Sequence, residues 1–439
     1  MGRGCIGMVN SKVEEYIKEI CSYVKFKKAH KEIRIEFLNH IEEKTEDLML
    51  EGMNEEEASK KALVEMGQAE IIGKQLNQSH KATPEWTILI ITVLFSLLGL
   101  VTTYHMLANE VVPYSGSLSK NVTFNIIGYI SILGVYFFDY KKLEKYSAKI
   151  FIGISVILLL QHLFAAPVYG RETWLTLGPL SVNTTELSLF LYVISLSKLI
   201  RSLDLKSVKG YVYLTLMLLI PVSLYIMLKV SMEIMVYLVV FIMFMFISKV
   251  KLAYLLSVIG TLITGGGLIV LSAPYQLKRI LIFTNPESDP TNAGYLYIQI
   301  KKLLASVGFK GNGFTFPKRG LPIVDSDLVL TYIIYTFGWI AGITLIILVL
   351  VFIARMVIAA KEVKDIYGRF LIWGFMCIFA MEFIWNILMI LGFAPIVSVT
   401  LPFISYGGSR TITQMAAIGI IMSIYKGKSL SYARLDSLK

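Results

Sequence analysis

Two carboxylates, Asp325 and Asp327, close a long polar stretch (residues 274–326) and stand directly before the apolar run Leu328-Val329-Leu330. A carboxylate at the lip of a membrane span is costly unless it is paired or lines a wet cavity. Partial desolvation would raise its proton affinity and suit it to take a proton from a reacting hydroxyl. Asp327 holds that position, whereas Asp325 reads as an ordinary loop carboxylate. The same stretch carries Arg279 within YQLKRILIF, a short amphipathic piece expected to lie on the membrane surface. Asn285-Pro286 and Asp289-Pro290 are turn signals, and Tyr295 to Leu304 fits an interfacial helix. Gly308, Gly311 and Gly313 then read as a flexible connection, too weak a pattern to indicate a phosphate loop, and Lys318 is a substrate-binding candidate near the end.

Two other polar segments interrupt apolar sequence. In GRETWLTLGPLSVNTTEL (170–187), Trp174 suits an interfacial anchor, Gly178-Pro179 gives a turn, and Glu186 falls at a helix start. There it is either a functional group or a plain N-terminal charge that the helix dipole tolerates. In GFAPIVSVTLPFISYGGSRTITQMAAIG (392–419), Pro395, Pro402 and Gly407-Gly408 break the helical run, and Ser405, Tyr406, Ser409 and Thr411 add hydroxyls. Irregular backbone at membrane depth belongs where it is buried in protein or lines a cavity. A packing kink is the alternative.

The elements that must position these groups are transmembrane helices. Of 439 residues 55% are hydrophobic and the mean hydropathy is +0.66, too apolar for a soluble chain. Apolar runs long enough to cross a hydrocarbon core of about 30 Å recur from residue 86 onward. They predict an all-α polytopic membrane protein of ten helices, near 86–108, 122–138, 149–166, 185–200, 210–228, 232–247, 252–273, 328–354, 367–392 and 405–425. One set of short connections carries Lys141, Lys142, Lys145, Arg201, Lys249, Arg355 and Arg369 among others, and the opposite set only Lys120, Arg171 and Lys229. By the bias of basic residues toward the inner face, the first set and both termini are cytoplasmic. The long loop between the seventh and eighth helices then faces outward. The net charge of +11 is largely this topology signal, and it gives no support to nucleic-acid binding. Cys5, Cys21 and Cys377 lack metal-ligand spacing and avoid the outer loops, so neither disulfide nor zinc framework is expected. The first residues lack the apolar core of a cleavable signal.

Residues 1–82 form a separate domain ahead of the membrane part at 83–427 and a tail at 428–439. Ile33, Phe37, Leu38 and Ile41 repeat at helical spacing, Asn54 before three glutamates is a helix start, and Gly67 a stop. These features predict a soluble bundle of three or so helices. His30 and His40 read as solvated helix residues. The string from His30 to Leu76 resembles the helical prefix domain found ahead of some bacterial permeases and sensors, which implies a docking or regulatory role.

PFISYGGS at 402–409 resembles a hallmark of the SEDS proteins (shape, elongation, division and sporulation), the family of RodA, FtsW and SpoVE. YQLKRILIFTNPESDPTNAGYLYIQI at 275–300 is similar to that family's loop, LPIVDSDLVLTYIIYTFGWIAG at 321–342 to the segment bearing its essential aspartate, and WLTLGPLSVNTTEL at 174–187 to its first signature. Asn386, Gly392 and Pro395 also fit. The resemblance implies a peptidoglycan glycosyltransferase of the bacterial cytoplasmic membrane that polymerises lipid II, a disaccharide-pentapeptide on undecaprenyl pyrophosphate. Asp327 would take the proton from the acceptor hydroxyl as the anomeric centre inverts. Arg279, with a divalent cation such as magnesium or manganese, would neutralise the leaving pyrophosphate. Glu186, Trp174, Lys318, Ser405, Tyr406 and Ser409 would bind substrate, lipid tails would lie among the helices, and a class B penicillin-binding transpeptidase would be the partner.

Departures accompany the match. Asn183, Thr184 and Thr185 stand where the family carries glutamine-proline-serine, Leu189 where a lysine is expected, and Val230 where an aspartate is. Lys229 and Glu233 lie close to that lost aspartate, Tyr335 and Thr336 replace an acidic pair, and Arg410 replaces a small residue. A lipid-linked precursor flippase, using His162, Glu233 or Glu382, and a non-catalytic scaffold for a transpeptidase are the competing readings. Deleting residues 1–82 is expected to leave membrane insertion intact, which fractionation of membranes expressing the truncated chain checks.

Overall fold

The computed structural model describes residues 2–24, 30–79, 85–112, 117–164, 174–177, 180–272, 274–317 and 321–428. The chain divides into two compact units, the second running from Glu85 to Ile424.

The N-terminal unit holds four helices, one more than the apolar spacing suggested: α1 Gly2–Tyr23, α2 His30–Leu50, α3 Glu55–Met66 and α4 Ala69–Ser79. Ile17, Ile20, Val24, Ile33, Phe37, Ile41, Met66 and Leu76 bury their side chains in one core. Asn54 caps α3 by accepting the Glu57 N–H at 2.9 Å, and Gly67 ends it at φ +94°. His30 makes a ring-nitrogen hydrogen bond of 2.8 Å with the Val24 carbonyl.

The second unit begins with α5 Trp86–Ala108, α6 Ser117–Phe137, a short α7 Lys141–Lys145 and α8 Ser147–Phe164. Two strands absent from the sequence reading follow, β1 Trp174–Leu177 and β2 Leu180–Asn183, antiparallel with Trp174 opposite Asn183. The Gly178-Pro179 turn lies outside the described residues. Next come α9 Thr184–Leu199, α10 Val208–Met227, α11 Ser231–Ile247 and α12 Leu252–Ser272, then the loop helices α13 Pro274–Thr284 and α14 Tyr295–Ala305. The chain continues through α15 Val329–Phe337, α16 Trp339–Glu362, α17 Ile366–Ile390 and α18 Gly408–Lys428.

Among the described residues, α5, α8, α10, α16 and α17 are long and apolar enough to cross a membrane. α11 is apolar but shorter. α17 packs against α9, α11 and α16, and Phe375, Ile378, Phe379, Phe383 and Asn386 along it are buried. Outer helices leave Ile90, Leu97, Ile152, Leu163, Ile347 and Leu350 exposed. Large aliphatic residues left uncovered on helices of this kind mark a surface whose solvent is hydrocarbon. The expectation of an all-helical, multi-pass membrane protein holds.

One predicted helix is interrupted. The apolar run 328–354 breaks at Gly338 (φ +89°) into α15 and α16. A Cβ there would meet the Phe309 carbonyl at 2.1 Å and the Gly311 nitrogen at 2.4 Å. The backbone groups freed by the break pair with the loop: Asn312 N–H donates to Tyr335 O at 2.9 Å, Gly313 N–H to Thr336 O at 3.1 Å, and Trp339 N–H to Gly308 O at 3.3 Å. Residues 308–313 are thus docked on the break rather than a flexible connection. Gly311 and Gly313 adopt positive φ to make that approach. Gly338→Val is expected to cost at least about 1–3 kcal/mol from backbone strain alone. A lowered midpoint of thermal unfolding in detergent checks it, with Gly134→Ala, which meets nothing within 4 Å, as the unperturbed control.

Candidate active site

Asp327 reaches its position through irregular backbone on both sides. The chain turns at Ile323 (φ +50°), whose carbonyl accepts the N–H groups of Ser326 at 3.2 Å and Leu328 at 3.3 Å. A β-branched residue there is a strained one. The 402–409 segment grips this turn from the side: the Tyr406 N–H donates to Asp325 O at 2.9 Å, and the Ser405 hydroxyl donates to Ser326 O at 2.6 Å. Asn386, buried in α17, donates to Asp327 O at 2.8 Å and to Val399 O at 2.7 Å. The second segment is strained as well, at Phe403 (φ +64°), whose ring is locked among Phe352 and Phe379.

Above this knot lies a cavity of about 560 Å³. Asp325, Ser326 and Asp327 form one wall, and Tyr406 to Arg410 another. Trp174, Ser181 and Asn183 of the hairpin, Val230 to Glu233 at the start of α11, Lys120 with Phe124 on α6, and Ser398 with Thr400 complete it. Asp327 is 6% exposed. Asp325, expected to be an ordinary loop carboxylate, is half-buried on the same wall, and burial pushes its carboxyl above the usual range.

Behind the cavity sits a buried polar network. Glu186, 2% exposed, forms an ion pair with Arg410, whose Nη1 donates to the Thr400 hydroxyl. Gln414, one turn further along α18, donates to Glu186 and to Glu382 at 3.2 Å each, and its carbonyl accepts the Phe403 N–H at 3.1 Å. Asn183 caps α9 through the Glu186 N–H at 3.2 Å, and its own N–H donates to Ser409 Oγ at 2.9 Å. The Thr185 hydroxyl donates to Glu233 at 3.1 Å. Glu186 is therefore no simple helix-start charge, because its carboxylate is committed to a partner more than two hundred residues away in sequence.

The structure brings Trp174, Asp327, Tyr406 and Ser409 to one cavity, with Ser405 beneath its wall and Glu186 behind it. Arg279 is not among the lining residues: it donates to the Ile396 carbonyl at 2.5 Å, while the Tyr297 hydroxyl accepts the Ile396 N–H at 2.8 Å. Lys318 lies outside the described residues. The sequence reading gave no role to Arg410, Gln414 or Lys120. The available signal was the i, i+4 placement of Arg410 and Gln414 on an apolar helix, together with two membrane-depth glutamates that need a buried cation. Of the two charged residues close to Val230, Glu233 lines the cavity and Lys229 is exposed.

Among the described residues no three His, Cys, Asp or Glu side chains converge to hold a metal ion by themselves, and the Glu186 carboxylate faces the Arg410 guanidinium. No chemical step is assigned to a metal.

The profile of the FtsW/RodA/SpoVE family of cell cycle proteins matches residues 85–430. The chain belongs to this family. Among SEDS relatives, the probable peptidoglycan glycosyltransferase FtsW of Trichlorobacter lovleyi is 27% identical over 78% of this chain and 93% of its own. The stage V sporulation protein E of Bacillus subtilis is 25% identical over 79% and 98%. A chain from a structure of a peptidoglycan synthase complex superposes with a TM-score of 0.69 at 21% identity, covering 79% of this chain and 98% of that one. At that identity the likeness is one of fold, which agrees with the helical membrane unit described above.

Asn386 has the most direct hold on the aspartate turn of this SEDS protein. Asn386→Leu leaves two buried carbonyls without their donor, at about 1–3 kcal/mol each. A lowered unfolding midpoint in detergent, with Asn386→Gln closer to the native value, is the expected result.

Proposed function

We propose that the chain is a peptidoglycan glycosyltransferase joining lipid-linked disaccharide units at the outer face of the bacterial cytoplasmic membrane. The observation that carries this reading is a buried carboxylate, Asp327, in a turn whose Asp325 and Ser326 carbonyls accept hydrogen bonds from the PFISYGGS segment, on the wall of a cavity with aromatic and hydroxyl groups. Family membership and the relatives' names as peptidoglycan glycosyltransferases support it.

Asp327 accepts the proton of the acceptor sugar's hydroxyl. The hydroxyl oxygen forms a bond to the anomeric carbon of the donor, the bond from that carbon to the lipid diphosphate breaks on the opposite face, and the configuration inverts. The diphosphate leaves with the bonding electron pair. The protein's part is a base in a turn whose carbonyls at Asp325, Ser326 and Asp327 are held by Tyr406, Ser405 and Asn386, and a cavity that positions both sugars. Trp174 and Tyr406 supply flat apolar surface for sugar rings, and Ser409 supplies a hydroxyl. Strand cross-linking needs a second enzyme, and the similar fold in a complex that coordinates polymerization with crosslinking supports a transpeptidase partner. A flippase is less favoured, because Glu233 and Glu382 are tied into the site's own network by Thr185 and Gln414.

With the purified chain and its partner supplied with lipid II, glycan polymer is expected from the native protein. Asp327→Ala should lower its rate about 10²–10⁴-fold, the span of a lost general base. Polymer undiminished by that change sinks the mechanism, and lipid transport across vesicles without polymer favours the flippase.

A further inference from the structure

The Glu186–Arg410 pair is lopsided. The glutamate side chain keeps 3% of its surface and the arginine 19%. Glu186 and Glu382 line only a small recess behind the cavity, whereas Arg410 lines both the recess and the cavity. A guanidinium has five N–H donors, and Arg410 directs one to Glu186 and one to Thr400. The remaining donors belong to a side chain whose exposed surface opens on the cavity. Glu186 and Glu382 thus stand behind the guanidinium and fix its orientation, while Arg410 shares the lining of the cavity in front with Glu233, Asp325 and Asp327. Arg410 also lies in the first turn of α18, where backbone N–H groups add partial positive charge, and Lys120 lines the same cavity. A planar guanidinium with open donors matches phosphate oxygens in a two-pronged fashion.

We propose that Arg410 binds the diphosphate of a polyprenyl-linked ligand in this cavity, opposite the hydroxyl-activating Asp327. The identity of the ligand rests on the glycosyltransferase reading, whereas the anion site rests on the geometry alone. The competing role for Arg410 is that of a counter-ion to Glu186 and nothing more.

The test uses the full chain in nanodiscs, titrated with a short-chain polyprenyl diphosphate, the corresponding monophosphate and inorganic pyrophosphate. The native protein is expected to prefer the diphosphate lipid to the monophosphate. Glu186→Gln/Arg410→Gln removes both members of the ion pair together, so that Glu186 is not left charged without its partner. It should weaken diphosphate binding about ten- to a hundredfold and abolish the preference, while Arg410→Lys falls between. If that double variant fails to fold, Leu189→Lys/Arg410→Gln takes its place. Leu189 lines the recess with Glu186, one turn along α9, so a lysine there neutralises Glu186 without facing the cavity. It too should lose diphosphate binding. Native diphosphate affinity in either folded double variant overturns the proposal and leaves Arg410 a counter-ion.

Competition by inorganic pyrophosphate places recognition in the diphosphate itself, and competition by the lipid alone makes the ligand a lipid headgroup. Either outcome, when lost with Arg410, supports the assignment. A native chain that makes no polymer from lipid II but still shows Arg410-dependent binding removes the transferase reading and keeps the anion site. Polymer formation with binding indifferent to Arg410 does the reverse.

Discussion

Asn386 joins two pieces of backbone that have no regular structure to satisfy them. In hydrocarbon an unpaired carbonyl costs several kcal/mol, so a turn such as 321–328 or a crossing such as 395–407 exists only where protein groups replace water. Asn386 serves one carbonyl from each, Ser405 and Tyr406 add contacts between them, and Gln414 accepts the Phe403 N–H. The aspartate, the hallmark segment and the central helix α17 are consequently one unit. Strain at Ile323 and Phe403 persists because this lattice and the phenylalanine cluster around Phe352 and Phe379 over-determine both positions.

The charges follow the same logic of replacement. Glu186 and Glu382 are affordable at depth because Arg410 and Gln414 answer them from the first turns of α18. An expected lysine is absent at Leu189, which lines the recess beside the Glu186 carboxylate, yet the site is not short of positive charge. It arrives from a different helix, at a residue that the family pattern marks as an oddity. Glu233, one turn beyond Val230, likewise brings a carboxylate to the cavity by another route.

The fold was legible because hydrocarbon imposes a strong pattern: each of the ten apolar runs contains helix. Asp327 was legible for the same reason, since a carboxylate at the lip of such a run demands an explanation. Gly338 was not, because a glycine within an apolar run is ordinary and only its backbone partners, thirty residues earlier in the loop, require the break. Arg410 was visible but carried no meaning, because its partners Glu186 and Thr400 are set by tertiary packing and not by spacing. Arg279 was legible as a cation in the loop, but its hydrogen bond to Ile396 becomes visible only once the two segments are folded together.

The docking of residues 308–313 on the α15–α16 break bears on how the loop can be edited. Its length between α14 and the break is fixed to the residue, since a shift of one position would detach Asn312 and Gly313 from the carbonyls of Tyr335 and Thr336. Insertions for tags or reporters therefore belong in the turn-rich 285–292 region, where the contacts of Asp289, to Asn292, Lys278, Pro286 and Gly294, are local to this part of the loop. A segment that reads as a flexible connection is, over six residues, a missing turn of a membrane helix.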